Sequence, residues 1–107
     1  MRSEEIQKEV EKIIDLVSQD SSVKSVFLFG SSAHPHELHE DSDLDLCIVQ
    51  ETNLRFYDRL AEWIDRIEPE VGLDIIVYTP EEFEKLSREN QFVSEQIENK
   101  GQRIYAA

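Results

Sequence analysis

Three aspartates and a Gly-Ser pair are the candidate reactive residues of this sequence. Asp43 and Asp45 are two positions apart at the start of an apolar run, and Asp74 lies in a later apolar run. Residues two apart on a β-strand point to the same side, so the first two carboxylates should share a face. Carboxylates held together repel unless a cation lies between them, and hard oxygen ligands suit Mg2+. The three aspartates are therefore candidate metal ligands.

Gly30 and Ser31 form the second candidate site, directly after the apolar segment 26–29. A Gly-Ser turn at the end of a strand exposes backbone N–H groups that could bind an anion such as phosphate. In nucleotidyl transfer, metal ions held by carboxylates bridge the attacking oxygen, the phosphate and the leaving pyrophosphate. The combination indicates a site for a nucleotide triphosphate and divalent ions.

Three short strands are predicted to position these side chains. Their apolar residues form the segments 23–29, 43–49 and 72–78, each bounded by turn-forming residues. In the second segment, the apolar residues at alternate positions lie on the face opposite Asp43 and Asp45. One face of that strand therefore packs in the core while its start presents carboxylates.

Helices are predicted before, between and after these strands. Apolar residues recur at the helical spacing in 3–19 and 54–67. Thr79, Pro80 and Glu82 have the types expected at the N-cap, the first and the third position of a further helix. The sequence thus predicts an α+β fold, with a small mixed sheet and the helices packed on one side.

The composition excludes several classes of protein. A length of 107 residues suits one domain, which we expect to cover residues 1–107. Eleven Lys and Arg against 24 Asp and Glu give a net charge of −13, which argues against a general nucleic-acid binder and favours a basic partner. The absence of a long apolar run or of a secretory signal predicts a cytoplasmic protein. The lone Cys47, in an apolar run, is expected to be a buried, inert thiol.

The order of these motifs resembles that of the minimal nucleotidyltransferases of the DNA polymerase beta superfamily. That family combines a Gly-Ser turn, a spacer, an Asp-x-Asp pair and a third Asp on a later strand, and the match covers nearly the whole chain. The resemblance implies the minimal polymerase-beta-like fold, with Gly30 and Ser31 binding the nucleotide phosphates. It also implies that Asp43 and Asp45 ligate two Mg2+ ions, and that Asp74 ligates one and is the base for an incoming hydroxyl.

The resemblance extends to small family members that are the antitoxin of a toxin–antitoxin pair. Their partner is a helical HEPN-domain ribonuclease, and such members can transfer AMP from ATP to a tyrosine near the partner's active site. The acidic composition fits a basic partner that handles RNA. The expected function is Mg2+-dependent protein adenylylation by an antitoxin that forms a complex with its toxin.

The sequence differs from the family pattern at two points. The spacer 32–42 before Asp43 has eleven residues, one more than is usual in the family. Ser32, His34 and Pro35 stand where the family often has arginines and a glycine. These differences leave open a second function, a non-catalytic binding module that neutralises or assembles with a helical toxin. Transfer to a small molecule such as an aminoglycoside is a third, less favoured because so short a chain has little room for an acceptor pocket.

Three histidines in the spacer region, His34, His36 and His39, allow two further interpretations. They could bind a transition metal such as Zn2+, or one of them could replace the missing arginine near the phosphates. A solvated loop is the interpretation that the sequence favours, because Pro35 interrupts the segment and no regular element orients the imidazoles.

Overall fold

The computed structural model describes residues 2–34 and 43–107. The chain begins with helix α1 (Arg2–Ser18), strand β1 (Val23–Phe29) and a 3-10 turn (Gly30–Ala33). Next come β2 (Leu44–Gln50), α2 (Phe56–Ile67) and β3 (Leu73–Tyr78). The last elements are α3 (Pro80–Glu89), a π-helical segment (Phe92–Asn99) and β4 (Gln102–Ala106).

The four strands form one mixed sheet in the order β3-β2-β1-β4. Strand β1 runs antiparallel to both β2 and β4, whereas β2 and β3 are parallel and are connected through α2. Parallel strands have their amino-terminal ends at the same edge of a sheet. This topology therefore brings the start of β2, where Asp43 and Asp45 lie, to the start of β3, where Asp74 lies.

Both faces of the sheet are apolar and both are covered by helices. Leu44, Leu46 and Ile48 of β2 belong to the core formed with α1 and α2. Cys47 and Val49 point the other way, into a second cluster that includes residues of α3 and the π-helical segment. The predicted α+β fold with a mixed sheet is confirmed. The placement of all helices on one side is wrong, because the central strands are apolar on both faces and each face must be buried.

Strand β4 was not predicted from the sequence, which we interpreted as a last helix ending near Gly101. The strand pairs with β1 and is an edge of the sheet, with Leu28 opposite Gln102. Its residues are half-buried or exposed, without the clean alternation that identifies a strand. The predicted capping box of α3 is confirmed, since Thr79 accepts a hydrogen bond from the Glu82 N–H and the Glu82 side chain accepts one from the Thr79 N–H.

The sequence predicted that the Cys47 thiol is buried and inert and that no segment crosses a membrane. Cys47 is buried, and desolvation raises its pKa to about 12, so the thiol is inert at neutral pH. In the described part of the chain, no helix combines the length and the apolar character needed to cross a bilayer.

The loop between α2 and β3 is tethered to α1 by a buried carboxylate. Glu9 accepts a hydrogen bond from the Glu70 N–H at 2.8 Å and forms an ion pair with Lys12 at 2.8 Å. Lys12 also donates to the Glu68 carbonyl at 3.1 Å. At the end of the loop, the Leu44 N–H donates to the Gly72 carbonyl at 2.8 Å. These bonds fix the starts of β2 and β3 relative to each other.

Gly101 allows the π-helical segment to approach β1 closely. A Cβ at this position would collide with the carbonyl oxygens of Ile97 and Leu28, both backbone atoms. Val93 and Ile97 are completely or almost completely buried, so the segment is held against the sheet by apolar packing. The turn from the π-helical segment into β4 therefore requires a residue without a side chain at position 101.

We expect Gly101→Ala to lower the free energy of unfolding by about 2 kcal/mol, because the backbone must move to accept the methyl group. Urea denaturation followed by the fluorescence of the buried Trp63, the single tryptophan, measures this change. Gln102→Ala, at the exposed neighbouring position, is the matched control and should change stability by no more than about 0.5 kcal/mol. Equal stability of Gly101→Ala and the parent chain would contradict the close approach.

Candidate active site

The carboxyl groups of Asp45 and Asp74 are in direct contact. The parallel register of β2 and β3 pairs the two residues, and their side chains form a hydrogen bond. Burial of Asp45 raises its pKa to about 6, and the negative charges of Asp74 and Asp43 add to the shift. Two carboxyl groups can share a hydrogen bond only when one of them carries a proton. The pair is therefore a place where negative charge accumulates and a cation would be stabilised.

Asp43 lies immediately before β2 and is exposed. Its carboxylate packs against Gly72, where a Cβ would collide with the Asp43 Oδ1 atom. Its charge acts on Asp45, as the raised pKa of that group shows. The structure therefore brings Asp45 and Asp74 into contact, and places Asp43 near enough to add its charge.

The Gly-Ser turn lies directly against this carboxylate pair. Phe29, the last residue of β1, is paired with Asp45 of β2, so the next residue, Gly30, begins the turn beside Asp45. Gly30 has a φ of +63°, a left-handed conformation that glycine adopts without strain. A Cβ at Gly30 would also collide with the Asp45 carboxylate. Glycine is thus favoured here by backbone conformation, and a side chain at this position would also displace the Asp45 carboxylate.

Ser32 connects the turn to strand β2, which carries Asp45. This role was not predicted from the sequence. Its buried hydroxyl donates to the Phe29 carbonyl at 2.8 Å and accepts from the Asp45 N–H at 3.2 Å. A serine two positions after a turn glycine carries no distinctive sequence signal. It was noticed only as a departure from the family pattern, at a position where an arginine is common. Its side chain holds Asp45 in place and is directed away from solvent.

A polar cavity of about 310 Å³ opens beside the turn, and its lining residues come from two distant parts of the chain. They are Gly30, Ser31, His34, Gln96 and Lys100. The predicted phosphate-binding residues Gly30 and Ser31 therefore line one cavity together. Gln96 and Lys100 were missed, because no motif marks them and they lie in and just after the π-helical segment that leads into the unpredicted strand β4. His36 and His39 lie outside the described residues.

The donor chemistry of the three aspartates fits a hard divalent cation such as Mg2+. All are carboxylates, two are in contact, and within residues 2–34 and 43–107 no Lys or Arg forms an ion pair with any of them. Over the same residues, however, no three His, Cys, Asp or Glu side chains already form a metal-binding group. The arrangement offers a contacting carboxylate pair and a third carboxylate at its edge.

Residues 10–104 match the sequence family described as a nucleotidyltransferase domain. The chain belongs to this family. A search of curated proteins finds no match. For this nucleotidyltransferase, the contact between the Gly-Ser turn and the Asp45–Asp74 pair is thus the expected location of the active site.

Solved structures share the fold of this nucleotidyltransferase. A toxin–antitoxin structure with AMP-PNP is 17% identical with a TM-score of 0.59, over 92% of this chain and 73% of the other. A mutant of the toxin–antitoxin pair MntA–HpeT is 15% identical with a TM-score of 0.59, again over 92% and 73%. At such low sequence identity, the structural similarity establishes a common fold and no more. The predicted polymerase-beta-like fold is confirmed.

We expect Asp45→Asn to stabilise the metal-free protein at neutral pH, because it removes a repulsive charge and lets an amide donate to Asp74. The folded-state pKa of Asp45 is raised above its unfolded value, so this group's stabilising contribution is complete below pH 3.8 and is lost as pH rises through about 6. After screening by solvent, the gain is about 1 kcal/mol, or roughly 4–8 °C in Tm. Thermal unfolding in EDTA at pH 4 and pH 7.5 measures it.

The same variant should lose the stabilisation that Mg2+ gives to the parent chain, since a ligand that binds only the folded state raises Tm. Asp65→Asn, at an exposed position on α2, is the matched control and should behave like the parent in both conditions. Two results would contradict the repulsion and the metal binding inferred for the carboxylate pair. One is a lower Tm of Asp45→Asn than of the parent chain in EDTA, and the other is an increase in Tm on addition of Mg2+ as large as that of the parent chain.

Proposed function

We propose that this nucleotidyltransferase transfers AMP from ATP to a hydroxyl, in particular a tyrosine, of a HEPN-type toxin partner, and so acts as an antitoxin. The observation that carries the proposal is the contact between the Gly30 turn and the Asp45–Asp74 pair. Phosphate-binding backbone and metal-binding carboxylates are the two parts that nucleotidyl transfer requires side by side. Membership of the nucleotidyltransferase family supports the reaction class.

The residues divide into binding and catalytic roles. Gly30 and Ser31 would bind the phosphates, and Asp43, Asp45 and Asp74 would ligate Mg2+. When bound, Mg2+ neutralises charge on the phosphates and polarises the reacting oxygens. Asp43 and Asp74 are exposed whereas Asp45 is half-buried, so an acceptor can reach either of the first two. Of these, Asp74 is the residue on the later strand, the position that the family resemblance gives to the base. It is therefore the proposed base.

The proposed step is an in-line substitution at the α-phosphorus of ATP. The acceptor oxygen forms a bond to this phosphorus while its proton passes to the Asp74 carboxylate, and the bond to the bridging oxygen of pyrophosphate breaks. The products are the adenylylated acceptor and pyrophosphate, with the bonding electrons leaving on pyrophosphate. No oxidant or further reactant is needed.

Two observations support a protein acceptor in a toxin–antitoxin pair. The fold is shared with toxin–antitoxin structures, one of which was solved with AMP-PNP. The net charge of −13 would favour association with a basic partner, as expected of an enzyme that acts on RNA. We place this encounter in the cytoplasm and propose that the chain acts there as one nucleotidyltransferase domain.

Incubation of the purified chain with ATP labelled at the α-phosphate, Mg2+ and the protein of the neighbouring gene tests the proposal. We expect label on a tyrosine of the partner, none in EDTA, and a loss of roughly a thousandfold in rate with Asp45→Asn, because metal binding contributes several kcal/mol to the transition state. Asp65→Asn should retain the full rate. Mass spectrometry of the partner identifies the modified residue.

Two results would overturn the proposal. A tight complex with the neighbouring protein, without label and unaffected by Asp45→Asn, would establish a binding module. Label on a small acceptor such as an aminoglycoside, with none on the protein, would move the activity to another class of substrate.

A further inference from the structure

We infer that Lys100 binds the terminal phosphates of the nucleotide triphosphate, an inference that rests on the proposed function. Lys100 lines the polar cavity beside the Gly-Ser turn, together with Gly30 and Ser31. It is the only Lys or Arg among the residues that line this cavity in the described structure. A lysine and a Gly-Ser turn that line one cavity of about 310 Å³ are a combination that suits a polyanion.

Strand pairing fixes the backbone of Lys100 relative to the turn. Gln102 of β4 is opposite Leu28 of β1 in antiparallel register. Lys100 precedes Gln102 by two residues and Gly30 follows Leu28 by two, so both lie just beyond the same end of the β1–β4 pairing. The pairing therefore brings the backbone of Lys100 to the edge of the sheet where the turn begins.

The backbone around Lys100 is also anchored from the helical side. Its N–H donates to the Glu95 carbonyl at 2.9 Å, which ends the π-helical segment. The next residue, Gly101, fits against the Leu28 carbonyl only because it has no Cβ. An anchored backbone reduces the conformational entropy that the lysine loses when it contacts a ligand.

The charge distribution of the chain explains why the single positive charge of Lys100 would affect phosphate binding. The chain carries an excess of thirteen negative charges, and Asp43, Asp45 and Asp74 lie on the other side of the turn. Lys100 is exposed, and in the described part of the chain it forms no ion pair with a carboxylate. Its charge is thus available to a phosphate group that the acidic surface would otherwise repel.

Isothermal titration with Mg2+ and a non-hydrolysable ATP analogue, compared with AMP, tests this inference. We expect Lys100→Ala to weaken binding of the triphosphate analogue roughly tenfold and to leave AMP binding unchanged, because AMP lacks the terminal phosphates. Lys100→Arg should restore most of the affinity. Lys85→Ala removes the same charge from an exposed site on α3 and should bind the analogue like the parent chain.

The outcomes separate this inference from the proposed function. If the parent chain binds the analogue and Lys100→Ala binds it equally well, Lys100 has no role and the proposed function stands. An equal loss of AMP and analogue binding would also overturn the assignment to the terminal phosphates. If the parent chain binds no analogue at all, the proposed function fails together with this inference. Circular dichroism confirms that each variant is folded.

Discussion

The parallel pairing of β2 with β3 places two carboxyl groups in contact, and the arrangement of the whole site follows from it. Asp45 and Asp74 occupy paired positions of neighbouring strands and therefore share one face of the sheet. Burial of Asp45, followed by repulsion from Asp74, raises the pKa of Asp45 to about 6, so the pair destabilises the folded protein at neutral pH. An unfavourable contact between two carboxyl groups persists only where the surrounding structure holds them together. Such contacts are concentrated at functional sites.

The surrounding structure imposes this contact from three sides. Apolar clusters on both faces of the sheet hold β2 in register. The buried Glu9 tethers the loop that precedes β3, and the Ser32 hydroxyl joins the Phe29 carbonyl at the end of β1 to the Asp45 N–H. Gly30 then lies against the Asp45 carboxylate, which a side chain at this position would displace. The Gly-Ser turn and the carboxylates are consequently held together by contacts within the fold itself.

The proximity of the candidate site residues could be predicted from the sequence because their signals are local. Asp43, Asp45 and Asp74 lie in short apolar runs, where the twofold period of a strand determines which side chains share a face. The unbroken apolar runs of β1 and β2 also indicate that helices cover both faces of the sheet, although we predicted helices on one side. Lys100 could not be found in this way, because its approach to Gly30 depends on a short, half-exposed edge strand far along the chain.

We propose that the carboxylates beside the Gly-Ser turn bind the metal that accompanies the nucleotide. A crystal structure of the chain with Mn2+ and a non-hydrolysable ATP analogue would test this proposal, since anomalous scattering locates the metal without ambiguity. We expect Mn2+ about 2.1 Å from carboxylate oxygens of Asp45 and Asp74, with the phosphates against Gly30 and Ser31. Metal and nucleotide bound elsewhere, with Asp45 and Asp74 still in contact with each other, would contradict it.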